Sequence, residues 1–193
     1  EGRHVVLEPL ADAHAEALFA AAEDPSMFRY LSECLSSLDD HRAFIGRGLS
    51  ERDAGRTIPF AIRLRGDGAL VGTTRFAAID LAHRRAEIGW TWIARKVQRS
   101  AVNTECKRLL LGHAFDVMQL DRVEFKTDAL NQVSRTAIAR LGATQEGIFR
   151  RHMVMPDGRV RDTVWFSILR QEWPIVREAL DRKLAAPISA APA

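Results

Sequence analysis

The sequence predicts a single mixed α/β domain whose mostly antiparallel sheet has about six to seven strands and is flanked by about four helices. The chain of 193 residues is the right length for one hydrophobic core. Its composition, 47% apolar and 27% charged, is that of an ordinary globular protein. Strand-like and helix-like stretches follow one another in the order β-α-α-β-β-β-α-β-α-β-β, with no internal repeat and no linker-like gap.

The first third of the chain predicts one strand and two helices. The stretch 3–10 is short and β-branched, and Pro9 ends it, which is typical of a strand. Apolar residues at helical spacing predict a helix over 11–22, which the following Pro25 separates from the next element. A second helix is predicted over about 39–51 because an apolar stripe recurs there.

A three-stranded meander is predicted next, with strands at 58–64, 70–77 and 85–93. The dipeptide Asp67-Gly68 is a hairpin signal between the first two of them. In the third strand, side chains alternate across a pleated sheet. One face is therefore predicted to hold Glu87, Gly89, Thr91 and Ile93, and the other Ile88, Trp90 and Trp92. Glu87 is thus predicted on an accessible face beside small and polar residues.

The second half predicts a long, well-buried helix that follows the polar run 95–105 and ends near Met118. The remaining elements are a strand at 123–128, a helix at 131–141 and strands at 145–155 and 161–169 around a Pro-Asp-Gly turn. The folded domain is predicted to cover 1–183. The stretch 184–193 is rich in alanine and proline without periodicity, so we expect a disordered tail there.

Charge and cysteine content restrict the classes of partner. The net charge is +3 and the sequence pI about 9.2, but no basic stripe interleaved with aromatic residues predicts a nucleic-acid surface. Cys34 and Cys106 have no spacing typical of a metal site or a disulfide framework. No apolar run is long enough to span a bilayer and no signal-peptide core is present, so we expect a cytoplasmic protein without a metal.

A candidate anion site lies where the strand at 85–93 leads through a polar loop into the long helix. Backbone N–H groups at a helix N-terminus, together with the helix dipole, bind phosphate oxygens. Arg95, Lys96 and Arg99 would add positive charge beside the same anion. The residues alone fit a phosphate-bearing ligand, but an ordinary strand-to-helix connection with solvated charges is the simpler interpretation of them.

Several motifs make the chain similar to a known family. They are the element order, Gln98-Arg99-Ser100-Ala101-Val102-Asn103, then 102–105, 122–128, Asn131 with Ser134, 140–143 and 156–158. In these stretches the chain resembles the GNAT acyltransferase superfamily, and within it the RimJ/RimL branch of ribosomal-protein N-terminal acetyltransferases. The resemblance covers Arg3 to about Trp173. Ala101 and Asn103 stand where the family loop has glycine or alanine, and Asn103 is well suited to cap the helix instead.

The resemblance implies a splayed sheet that binds acetyl-CoA and needs no metal. It implies that the pyrophosphate lies on 98–104, that the pantetheine pairs with the backbone of Trp92 and Ile93, and that Asn131 holds a pantetheine amide. The cofactor residues implied in this way are Trp92, Ile93, Gln98, Arg99, Ser100, Ala101, Val102, Asn103, Thr104, Asn131 and Ser134. The acetyl group would pass directly to a primary amine, of a small molecule or of a protein N-terminus, and the enzyme could be a homodimer.

Direct transfer needs a base, a donor for the developing oxyanion and a proton for the leaving thiolate. Glu87 is the candidate base, although an ordinary surface or ion-paired glutamate fits the sequence equally well. A backbone N–H at or beside Ile93 is the candidate donor. Many family members carry a tyrosine that would serve the thiolate, but that position is Ile138 here. Ser134 is therefore the candidate that passes a proton to the sulfur.

Two other interpretations of the sequence need separate tests. His152 and Asp162 could face each other across the last hairpin, but no nucleophile-elbow serine or cysteine accompanies them, so a structural pair is the simpler interpretation. The substituted loop at 98–103 also allows a protein of the same fold that binds acyl-CoA without transferring the acyl group. Assays of turnover and of CoA binding separate that sensor or scaffold from an enzyme.

Overall fold

The computed structural model of the protein describes residues 1–186, and a single seven-stranded sheet forms its centre. The strands are β1 (Val5–Pro9), β2 (Ile58–Leu64), β3 (Leu70–Asp80), β4 (Arg85–Ile93), β5 (Arg122–Asp128), β6 (Thr144–Val154) and β7 (Val160–Leu169). The helices are α1 (Ala15–Ala21), α2 (Leu38–Asp53), α3 (Ala101–Gly112), α4 (Gln132–Ala139) and α5 (Trp173–Ala185). The predicted mixed α/β class is confirmed.

The strand order across the sheet is β1-β2-β3-β4-β5-β7-β6. All neighbours are antiparallel except β4 and β5, which are parallel. These two strands pair only from Arg85–Arg122 to Glu87–Glu124, although β4 continues to Ile93 and β5 to Asp128. Beyond Glu87 the two strands therefore diverge, and the sheet is mostly antiparallel, mixed and splayed, as predicted.

Two hydrophobic clusters hold the helices on the sheet. One packs α3 and α5 against the centre of the sheet and includes Phe76, Ile88, Leu110, Phe115 and Trp173. The other packs α1 and α2 against the first strands and includes Leu18, Phe44, Ile45, Ile62 and Trp92. Burying an aliphatic or aromatic side chain of this size stabilises the fold by roughly 1.5–3 kcal/mol. The splayed strands thus lie between two independently packed halves of the core.

Local sequence signals explain where the helices begin. Ser37 caps α2, since its Oγ accepts the Asp40 N–H at 3.1 Å while the Asp40 carboxylate accepts the Ser37 N–H at 2.9 Å. A second feature, the side chain of Glu105, ties α3 to the start of β1. The buried Glu105 carboxylate accepts the backbone N–H groups of Arg3, His4 and Val5 at 2.7, 2.6 and 2.8 Å. The entry of α3 is therefore fixed to the edge of the sheet.

The helix α5 corrects the predicted C-terminal boundary. It runs to Ala185, so the expectation of disorder from 184 onward is wrong for residues 184 and 185, while 187–193 lie outside the described residues. Trp173, Val176 and Leu180 are its buried residues, at a spacing typical of a helix. Arg108 of α3 donates to Asp181 at 2.7 Å across the α3–α5 contact. Within residues 1–186, no helix is long and apolar enough to cross a membrane.

Candidate active site

A bulge in β4 shapes the centre of the site. Thr73 pairs with Trp92 but Arg75 pairs with Gly89, so β4 carries one residue more than β3 between these pairs. Trp90 absorbs the extra residue with a positive φ of 47°. Such a conformation is strained for a bulky residue and persists because the surrounding strands impose it.

The bulge overturns the side-chain alternation predicted for this strand. The Thr91 hydroxyl accepts a hydrogen bond from Lys107 of α3 at 2.7 Å, whereas the Trp92 ring packs edge-on against Phe28 and against His41 of α2. The Trp90 ring also lies on the α2 side, over Arg75. Trp90 and Trp92 thus share the face of Glu87, and Thr91 lies on the opposite face. Simple alternation holds only as far as Gly89.

Glu87 lies at the last residue pair before β4 and β5 diverge. The prediction that Glu87 is accessible is wrong, because only 5% of its surface is exposed. Lys126 of β5 pairs with it, at 2.7 Å between Nζ and Oε2. Burial raises the pKa of the Glu87 carboxyl, while the charge of Lys126 opposes that shift. Glu87 is thus a desolvated carboxyl group that pairs with one cation, at the point where β4 and β5 begin to diverge.

Aromatic residues of the last two strands surround this ion pair. The Lys126 ammonium lies 4.3 Å from the centroid of the Trp165 ring, and Phe149 stacks on the same ring at 4.4 Å. His152 Nδ1 is 3.1 Å from Thr163 Oγ1, so it does not pair with Asp162. Asp162 instead accepts the Arg151 N–H at 2.6 Å. His152 and Asp162 therefore form no catalytic pair, as predicted, and no structural pair either.

The N-terminus of α3 borders the other end of the diverging strands. Its cap is Ser100, whose Oγ accepts the Val102 N–H at 3.3 Å and donates to the Val97 carbonyl at 2.6 Å. The prediction that Asn103 caps this helix is therefore wrong, because Asn103 already lies inside the first turn. The Gln98 side chain donates to the Ile93 carbonyl at 2.9 Å. The loop is thus tied to the end of β4.

The cations predicted beside this loop differ in their surroundings. Arg95 pairs with Asp24 at 2.8 Å, so its charge already has a partner. Lys96 and Arg99 are exposed, and neither forms an ion pair with any residue in 1–186. A cleft of about 450 Å³ lies beside the helix start, between Ser100–Val102 and the turn that follows β2. Small backbone-lined surfaces such as that at Ala101 suit close approach of an anion.

The helix α4 begins as the sequence predicts. Asn131 is its cap, with Oδ1 accepting the Ser134 N–H at 3.0 Å. Ser134 is partly buried, and Ile138 is buried. The structure therefore places Asn131 and Ser134 together at the start of α4, directly after the end of β5.

Sequence reasoning missed two buried cations. Lys107 is 6% exposed and donates to Thr91 Oγ1 at 2.7 Å and to Thr74 Oγ1 at 3.4 Å. Its burial lowers the pKa of the ammonium to about 8. Arg75 is the second, and it lines a cleft between α2 and β3. A charged residue inside the apolar stripe of α3 was the available signal for Lys107, whereas Arg75 had none. Among residues 1–186, no cluster of histidine, cysteine or acidic residues could hold a metal ion.

Comparisons with known proteins agree with this geometry. The sequence profile of the acetyltransferase (GNAT) domain matches residues 4–144. YdaF of Bacillus subtilis (strain 168), provisionally named a ribosomal N-acetyltransferase, is 34% identical over 107 residues, which are 55% of this chain and 57% of YdaF. The match thus spans less than two thirds of that relative.

Solved structures match over nearly the whole chain. A GCN5-related N-acetyltransferase from Brucella melitensis is 34% identical, with a TM-score of 0.88 over 96% of this chain and 84% of that one. RimJ of Mycobacterium smegmatis, solved in complex with CoA-disulfide, is 26% identical, with a TM-score of 0.79 over 93% and 88%. With a profile match over most of its length and a sheet that opens between β4 and β5, the chain belongs to the GNAT family of acetyltransferases.

Proposed function

We propose that this protein transfers an acetyl group from acetyl-CoA to a primary amine by direct attack in a ternary complex. The observation that carries the proposal is the divergence of β4 and β5 immediately after Glu87. It places a desolvated carboxylate at one end of an open strand edge and a helix N-terminus at the other. Membership of an acetyltransferase family supports the same reaction.

The residues present fit a bound acetyl-CoA, which would supply the activated acetyl group. The first-turn N–H groups of α3 suit its pyrophosphate, and residues 98–104 remain the predicted contact. The unpaired edge of β4 suits the pantetheine amides, at Trp92 and Ile93. The Ile93 carbonyl already accepts from Gln98, so its N–H is the better candidate for a contact. Asn131 and Ser134 would close the site from α4.

Glu87 would take one proton from the acceptor ammonium, which frees the nitrogen lone pair. As the N–C bond forms and the C–S bond breaks, the backbone N–H at or beside Ile93 would stabilise the developing oxyanion. The second proton of the nitrogen would pass to the leaving sulfur, with Ser134 as the relay. Lys126 favours the ionised form of Glu87, because its charge opposes the effect of burial on the carboxyl pKa. Proton transfer works best when that pKa lies near the working pH.

A protein N-terminus is the acceptor that we propose. RimJ and a structural neighbour that modifies the N-terminal serine of ribosomal protein L7/L12 have similar folds. In this chain the aromatic rings of Trp165 and Phe149 lie beside the Glu87–Lys126 pair and would form a wall of the acceptor site. A cytoplasmic location and a homodimer stay predictions of the sequence.

The decisive test compares the native protein with Glu87→Gln. Turnover is followed by thiol release from acetyl-CoA with a peptide panel, and acetyl-CoA affinity is measured by calorimetry. We expect the substitution to lower kcat by a factor of about 10²–10⁴, as for a lost general base, with the same acetyl-CoA affinity. Binding of acetyl-CoA without turnover of any amine would favour the non-catalytic binder. Turnover by the variant with an unaltered pH profile would remove Glu87 from the mechanism.

A further inference from the structure

A second cleft, of about 830 Å³, lies between α2 and the C-terminal part of β3. Its volume is in the range of small-molecule and short-peptide sites. Arg85 and Trp90 of β4 line it, and these residues stand on either side of Glu87 in the strand. Glu87 is not part of the lining, so the cleft lies next to the strand segment that carries the proposed base.

The charges of this cleft do not cancel. The lining has three carboxylates, and each has an arginine partner: Glu33 with Arg47, Glu51 with Arg56, and Asp80 with Arg85. Arg75 is the fourth arginine in the lining. No residue within 1–186 gives its guanidinium a hydrogen bond or an ion pair within 4.0 Å. The cleft thus contains one unpaired positive charge.

An unpaired Arg75 lowers the stability of the fold, because its charge is buried. Only 6% of its surface is exposed, and its guanidinium lies between the rings of Phe44 and Trp90, 4.9 Å from each centroid. Burial lowers the pKa of Arg75 to about 10, well below that of a solvated guanidinium. Burying an unpaired charge costs several kcal/mol, and stacking on two rings offsets only part of that cost. Gly48 of α2 lies against the guanidinium, since a methyl group there would be in van der Waals contact with it at 3.6 Å.

The register between β3 and β4 relates Arg75 to Glu87. Ala77 pairs with Glu87 and Arg75 with Gly89, so Arg75 and Glu87 are diagonal neighbours on one face of the sheet. The Cα atoms of diagonal neighbours in an antiparallel pair are about 7–8 Å apart, and both side chains extend from that face. An extended peptide covers that distance in about two residues, at roughly 3.3–3.6 Å each. An amine at Glu87 and an acidic side chain one or two residues later would meet both groups.

We propose that Arg75 binds a carboxylate of the acceptor, so that the preferred acceptor is a peptide N-terminus with Asp or Glu at its second or third residue. A guanidinium matches a carboxylate with two parallel hydrogen bonds, which the flanking rings hold in orientation. The inference rests on the proposed transfer reaction, because the amine of the peptide is placed at Glu87.

The test uses seven-residue peptides that differ only in Asp or Asn at the second or third position. For the native protein we expect kcat/KM to favour the acidic peptide at least 10-fold, mainly through KM. Arg75→Met keeps the apolar contact with both rings and should reduce the preference to less than 2-fold. Its melting temperature should be equal to or higher than that of the native protein, because a buried charge is removed.

Arg56→Gln is the matched control, since it removes the same charge from the same cleft at an exposed arginine that Glu51 already pairs. It should keep most of the preference. Equal rates for the two peptides in the native protein, or a preference that survives in Arg75→Met, would overturn the proposal. A lower melting temperature in Arg75→Met with equal losses for both peptides would assign Arg75 a structural role only.

Peptide binding measured by calorimetry in the presence of CoA separates this inference from the transfer reaction. If neither peptide is acetylated but the acidic one binds more tightly in an Arg75-dependent way, Arg75 is the carboxylate site and the transferase proposal fails. If the native protein acetylates the Asn peptide and the Asp peptide at equal rates, the transferase proposal stands and the proposed role of Arg75 is wrong. If neither peptide binds and neither is acetylated, both the transferase proposal and the proposed role of Arg75 are wrong.

Discussion

At the scale of single residues, the ion pair between Glu87 and Lys126 sets the chemistry of the candidate site. The 2.7 Å contact lowers the pKa of a carboxyl that burial alone raises. We predict that Lys126→Met raises this pKa further, since the opposing charge is removed while the burial remains. The acidic limb of the pH dependence of kcat/KM should then move to higher pH by the same amount.

Lys126→Arg is the control for this shift, because it keeps the charge beside the carboxylate. Its acidic limb should remain close to that of the native protein. An acidic limb at the same pH in Lys126→Met would show that Glu87 does not titrate in the reaction.

The buried Lys107 predicts a pH dependence of stability. Its pKa is about 8 in the fold against 10.5 when solvated, so between these values the unfolded chain binds more protons than the folded one. The free energy of unfolding should therefore rise with pH from about 8 to 10.5, and the penalty is fully present below 8. The difference corresponds to roughly 2–4 kcal/mol.

Lys107→Met should abolish that rise and should stabilise the protein at pH 7 by roughly 1–3 kcal/mol, after the loss of the bonds to Thr74 and Thr91. Urea titrations at several pH values measure both effects. If the variant is less stable than the native protein at pH 7, the ammonium is needed by the fold, and the interpretation of a costly buried charge is wrong.

At the scale of elements, β4 shows what local sequence can and cannot reveal. The existence and limits of the strand follow from its own residues, and the structure has it at Arg85–Ile93 as predicted. The bulge depends on how β4 aligns with β3, a contact between distant parts of the chain. Alternation read from a single strand therefore placed Thr91 on the wrong face. The pairing of Glu87 with Lys126 across two strands escaped prediction for the same reason.

Gly72 is the residue that lets β3 approach the end of β4. A Cβ on Gly72 would lie 2.1 Å from the Trp92 carbonyl oxygen, which is backbone and cannot move aside. We predict that Gly72→Ala destabilises the protein by about 1–3 kcal/mol, in the range of substitutions that overpack a core. Denaturant unfolding measures this change.

Gly46→Ala is the matched comparison, at an exposed position of α2 where no atom lies within 4 Å of the added methyl group. Alanine has the higher helix propensity, so this variant should gain about 0.5–1 kcal/mol. If Gly72→Ala is tolerated as well as Gly46→Ala, then the close approach to Trp92 does not constrain the strand.

At the scale of the whole molecule, family motifs predicted more than periodicity did. The order of the first eleven elements follows from strand and helix patterns, and the opening between β4 and β5 follows from the resemblance. The helix α5 was missed although Trp173, Val176 and Leu180 recur at helical spacing. The decisive groups of the site, Arg75 and the Glu87–Lys126 pair, become visible only when distant strands are brought together in three dimensions.

The whole molecule should also respond to its proposed cosubstrate. A ligand that binds only the folded state stabilises it by about 2.7 kcal/mol at one hundred times its dissociation constant. For a chain of this size, that corresponds to a rise of roughly 5–10 °C in melting temperature with acetyl-CoA. Glu87→Gln should show the same rise, since the carboxylate lies at the amine side of the site.

The start of α3 decides how large that rise is. Ser100 caps the helix, so Ser100→Ala should cost about 0.5–2 kcal/mol and should reduce the acetyl-CoA response, because the N–H groups lose their fixed orientation. Asn103→Ala should leave stability nearly unchanged, since Asn103 is not the cap. Thermal scans of Ser100→Ala, Asn103→Ala and Asn103→Gly with and without millimolar acetyl-CoA test these expectations together. Absence of any rise in the native protein, with a rise in Asn103→Gly, would mean that the Asn103 side chain blocks the site and that this member of the family no longer binds the cosubstrate.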